Sequence, residues 1–150
     1  MSAQGVLLKF RRLDAADRRA LIAAALLLVA FMLAVSLFSF QTVLRCTVGA
    51  EGDSEGRNTA DPREVGRTVW AVEAAGRRVP GATCLVQSFA LLLLLRRLGQ
   101  SASLQIGVSL DESSRLSAHA WVESQGRVLI GGAGQERFTP LRAFQPDVQV

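Results

Sequence analysis

Two residues of this chain have the side chains of a nucleophile and its base, and each has an informative setting. Cys84 follows "PGAT" and opens "CLVQSFALLLLLRRLG"; His119, the chain's only histidine, lies in "LSAHAWVES". Pro80-Gly81 forms a turn and Thr83 suits an N-cap, so Cys84 falls in the first turn of a helix running to Arg96-Arg97 and stopping at Gly99. The first N–H groups of a helix lack intrahelical partners and carry the positive end of its dipole. Both favour a sulfur anion, the form that attacks a carbonyl carbon. An imidazole within hydrogen-bond reach takes the thiol proton, and any imidazole base here must be His119. Each residue also has a plain structural reading. Free cysteine is among the most buried residue types, and a lone histidine in a strand is commonly a packing residue.

The elements that would position this pair can be read from hydrophobic period. "SASLQIGVSL" alternates Leu104, Ile106 and Val108 against polar or small neighbours, as a half-buried strand does. A polar loop, "DESSR", leads to the strand "LSAHAWVES", which carries His119, Trp121 and Glu123 on one face. "QG" turns the chain into a third strand, "RVLI", before Gly131-Gly132. Upstream, Asp61-Pro62 supplies an N-cap and a first-position proline for "PREVGRTVWAVEAAGRRV", whose closing Arg77-Arg78 pair suits a helix C-terminus. The predicted order is helix, cysteine-bearing helix, strand, histidine-bearing strand, strand: an α+β arrangement.

The N-terminal third admits two readings. Residues 21–38, "LIAAALLLVAFMLAVSLF", carry no charge and one polar residue, Ser36, which meets the lower length limit for a membrane span. Lys9, Arg11, Arg12, Arg18 and Arg19 precede it and would hold the N-terminus in the cytosol. No small-residue cleavage site follows, which disfavours a signal peptide. The same run would equally serve as a helix covered by the rest of the fold or by a partner.

Composition excludes several classes. The formal charge of +4 rests on scattered arginines, with Lys9 the only lysine, and no interleaved aromatics favour stacking on bases, so a nucleic-acid partner is not expected. Two cysteines make neither a disulfide framework nor, with a single histidine, a metal cluster; neither metal nor cofactor is expected. Lone cysteines suit a reducing compartment. Cys46 reads as a buried or bystander thiol, and Trp121 as a core residue.

The stretch "VWAVEAAGRRVPGATCLVQSFALLLLLRRLG…ASLQIGV…SAHAWVESQGRVLIGG" resembles the transglutaminase-like cysteine protease of lasso-peptide biosynthesis, the B protein without its leader-recognition half. "PGATCL", "LLRRLG", "IGV" and "AHAWVE" carry the likeness, which covers roughly residues 65–145. It implies a papain-like or transglutaminase-like α+β fold, its cysteine at a helix start packed on an antiparallel sheet. The division would be an apolar N-terminal helical segment (1–48), a polar linker (49–61) and the protease domain (62–150). It further implies a cytoplasmic leader peptidase acting on a lasso-peptide precursor. A separate leader-recognition protein and an ATP-dependent macrocyclase would be its partners, with residues 21–38 offering a docking or membrane-associating surface. Cys84 matches the family's nucleophile and His119 its base. The aspartate that often follows on the returning strand is missing, and Gly131 stands in its place. Glu136 or Glu123 could substitute, or a dyad could work without a carboxylate. The backbone N–H of Cys84 is the expected oxyanion donor, with the Gln87 amide a second candidate. Two rival readings remain: an acyl or amide transferase on the same fold, and a non-catalytic membrane-anchored binding module.

Overall fold

The computed structural model describes residues 13–48, 59–110 and 115–144. Most of the expected linker, most of the "DESSR" loop and the last six residues of the expected protease domain lie outside the described residues. Among the described residues, four helices precede a four-stranded sheet: α1 (Ala15–Leu37), α2 (Phe40–Val48), α3 (Pro62–Gly76), α4 (Cys84–Arg97), β1 (Ser103–Leu110), β2 (Leu116–Ser124), β3 (Arg127–Ile130) and β4 (Thr139–Phe144), with a 3₁₀ turn at Gln135–Arg137. The sheet is antiparallel throughout, in the order β3-β2-β1-β4.

Local chemistry sets the helix ends. Asp61 caps α3, its carboxylate accepting from Arg63 N at 2.9 Å, with Pro62 where a missing N–H costs nothing. At the other end of α3, Arg78 donates from Nη1 to Ala74 O at 2.6 Å. α4 closes in a Schellman turn. Gly99, at φ +75°, donates to Arg96 O and Gln100 donates to Leu95 O, both at 2.9 Å. Two features went unanticipated in the sequence. The apolar run breaks at Phe38-Ser39, where the Ser39 hydroxyl meets Thr42 and a new helix begins. β4 adds a fourth strand on the sheet edge, the one place where its Pro140 costs no ladder bond.

α4 lies at the centre. It packs on β1 and β2 on one side and meets α1, α2 and α3 on the others. Phe89, Leu91 and Leu95 are fully buried with Leu104, Val122 and Leu28 in one core. The Phe89 ring stacks on Phe31 of α1 at 5.7 Å and meets Phe40 of α2 at 6.1 Å. α1 is also tied to α3 by Arg67, whose Nε donates to Asp17 at 2.7 Å. That hydrogen bond lifts the Arg67 pKa, the charges of Asp17, Asp14 and Glu64 adding to it and desolvation opposing it. α1 is long and apolar enough to cross a membrane, yet here one of its faces is joined to the domain: Ala24 and Leu28 are buried while Ile22, Leu26, Val29, Leu33 and Leu37 face outward.

Candidate active site

Cys84 stands at the first position of α4, as its sequence context predicts, with Thr83 in extended backbone as the N-cap. The cap is loose: Val86 N reaches Thr83 Oγ1 at 3.4 Å, longer than a good N–H···O bond. The thiol is free and partly exposed. It borders a pocket of about 350 Å³, walled by Cys84, Leu85 and Phe40 and floored by Ile106, the β2 stretch Ala118–Ala120 and Leu141.

His119 belongs to the same lining, but the strand's alternation decides where its ring goes. Ala120 and Val122 join the core beneath α4, so His119 and Trp121 turn to the opposite face of β2. There the imidazole lies between Trp121, with ring centroids 6.1 Å apart, and Phe138, at 5.1 Å. Its Nε2 is 2.6 Å from the backbone oxygen of Gly131. A carbonyl only accepts, so Nε2 carries the hydrogen and Nδ1 of the neutral ring keeps its lone pair. Gly131 is there for a geometric reason. Its φ is +78°, and a Cβ would sit 2.8 Å from Ala120 O and 2.9 Å from Trp121 Cβ. Only glycine lets the chain fold back this closely over β2.

His119 thus lines the pocket beside Cys84, while its imidazole is turned to the other face of the histidine strand. Among the described residues no hydrogen bond joins thiol and imidazole. The carboxylates considered from sequence are elsewhere. Glu136 is exposed in the 3₁₀ turn and makes no hydrogen bond to the ring, and Glu123 accepts from Trp121 Nε1 at 2.8 Å. The ring's partner is thus the main chain of Gly131, the position where the family resemblance calls for a carboxylate. Gln87 is likewise in other use: its amide donates to Ala82 O at 2.8 Å and packs over Gly76, outside the pocket lining. Cys46 is exposed on α2 and borders a separate apolar pocket with Phe31, Phe38 and Leu93. Trp121 is buried, as expected of a core residue. Among the described residues, no cluster of three or more His, Cys, Asp or Glu is arranged to hold a metal.

Sequence reasoning missed the apolar walls of the pocket and the Gly131 carbonyl. The Gly131-Gly132 pair was the one visible signal; nothing in the local sequence links Phe40 or Leu141 to Cys84.

Residues 25–143 match the transglutaminase-like superfamily, and the chain belongs to it. No curated protein and no solved structure matches the chain. The superfamily includes cysteine peptidases and transferases and is typically catalytic. The match begins inside α1.

Proposed function

We propose that this chain is a cysteine peptidase that removes the leader from a lasso-peptide precursor. The observation that carries the peptidase reading is Cys84 at the start of a central helix, on the lining of a pocket that His119 also borders. The lasso-peptide assignment rests on the sequence likeness around "PGATCL" and "AHAWVE".

In this mechanism His119 Nδ1 takes the thiol proton and Sγ attacks the carbonyl carbon of the last leader residue. The oxyanion is met by the unpaired backbone N–H of Cys84. The imidazolium then gives its proton to the leaving amine, the core peptide departs, and the leader stays on sulfur as a thioester. Water, deprotonated by the same imidazole, hydrolyses the thioester and frees the leader carboxylate. The Gly131 carbonyl takes the orienting role that a carboxylate holds in a triad. Nδ1 and Sγ must close to hydrogen-bond distance for the first step. Because the ring lies on the face of β2 turned from α4, this closure requires the ring or the strand to swing toward the thiol, a rearrangement that substrate and a separate leader-recognition protein would drive. The reaction belongs in the cytoplasm, where the precursor is made and an ATP-dependent macrocyclase would take the released core.

Mass spectrometry of precursor incubated with the chain and a leader-binding protein tests this reading. Free leader and core are expected, and their release by Cys84→Ala at the wild-type rate would end the proposal. One observation favours acyl transfer as a second reading: the apolar pocket would shelter a thioester from water. An amine-linked leader in place of the free carboxylate would establish it.

A further inference from the structure

The pocket beside Cys84 is built for more than access to the thiol. Phe40 of α2, Leu85 of α4, Ile106 of β1 and Leu141 of β4 line it, and among the described residues the only ionisable ones in the lining are Cys84 and His119. Ala118 and Ala120 contribute only methyl side chains to its lining.

We propose that this pocket is a subsite for a large apolar side chain, aromatic or branched aliphatic, on the residue whose carbonyl Cys84 attacks. That residue is the one held nearest to Sγ, so its side chain enters the space next to the thiol. A volume of about 350 Å³ accommodates a phenylalanine or leucine side chain with room for adjacent backbone. An apolar group gains by leaving water there. A carboxylate entering the same space loses its hydration, and the side chains of Phe40, Leu85, Ile106 and Leu141 offer it no cation or hydrogen-bond donor in exchange.

The N-terminal segment thereby takes a role in selection. Phe40 follows the break at Ser39, and its ring is held against Phe89 at 6.1 Å, so α2 contributes a wall that helix-plus-sheet alone would leave open. Phe40 and Ala118 are then specificity residues: they touch the substrate side chain and not the reacting atoms.

The proposal rests on Cys84 being the nucleophile, and the test separates the two claims. Two chloromethyl ketones, identical except for phenylalanine or aspartate at the reactive residue, are incubated with the full chain. Sulfur displaces chloride, forming a C–S bond, and peptide mass spectrometry locates the adduct. The phenylalanine reagent is expected to label Cys84 about 100-fold faster than the aspartate reagent, the scale of discrimination an apolar pocket supplies against a charged side chain. In Ala118→Trp, with each ketone rate divided by that of iodoacetamide on the same variant, the preference should fall to within a few-fold. Equal labelling by both ketones overturns the subsite and leaves the nucleophile standing. Failure of both to modify Cys84 overturns the nucleophile and the subsite together.

Discussion

α1 and α4 are both written in alanine, leucine and valine, and they end up in opposite situations. α4 buries Val86, Ser88, Phe89, Ala90, Leu91, Leu92 and Leu95, whereas α1 buries only Ala24 and Leu28. Leu26 and Leu37 on α1 remain 66% and 74% exposed, which leaves an uncharged apolar face along the outside of the domain. The difference is one of position. α4 has a sheet on one side and three helices on the others, and a helix apolar all round is stable only when covered in this way. α1 sits in the outer helical layer, where its neighbours cover one face. Hydropathy reports what a helix is able to bury; the layers around it decide what it does bury.

The contrast can be broken most forcefully at Phe89. Phe89→Ala removes a fully buried ring packed between Phe31 and Phe40 and is expected to cost about 3–5 kcal/mol in urea unfolding. A loss below about 1 kcal/mol would mean that α4 is not the hub of the core. Leu28→Ala, on the buried ridge of α1, should follow at about 2–5 kcal/mol. If it proves silent, α1 is merely laid against the domain and the membrane reading of this helix gains.

Ser88 sharpens the comparison from the other direction. Its hydroxyl is fully buried in α4 with no hydrogen-bond partner among the described residues. Removing an unpaired buried hydroxyl relieves its desolvation, so Ser88→Ala should raise stability by about 1 kcal/mol. A decrease would reveal a partner for that oxygen in solution. The smallest effect belongs to the outward face of α1. Leu26→Gln should change stability in detergent-free solution by no more than about 0.5 kcal/mol. A larger loss would show that another molecule or a second copy covers this face.

Much of the fold was legible because its signals are local. Asp61-Pro62, Thr83 and Gly99 mark helix ends through their own hydrogen bonds or backbone freedom, and the structure uses each in that way. The alternation of "SLQIGVSL" and "LSAHAWVES" appears as the paired strands β1 and β2, Ile106 opposite Ala120. The break at Ser39 and the strand around Pro140 were not legible. One hides in a run of unbroken hydropathy, and the other depends on an edge that exists only once β1 is in place.

For the candidate site, the sequence by itself determined which groups are available: one histidine, a cysteine at a capped helix start, and glycine where the family resemblance calls for a carboxylate. Residue identity and short-range backbone chemistry suffice for that. Tertiary structure alone decided the partners. It brought Phe40 and Leu141 to the thiol, paired His119 with the oxygen of Gly131, and turned the imidazole to the far face of β2 from α4. Such contacts join segments far apart in the chain, and they depend on register and packing, which no single stretch of sequence encodes.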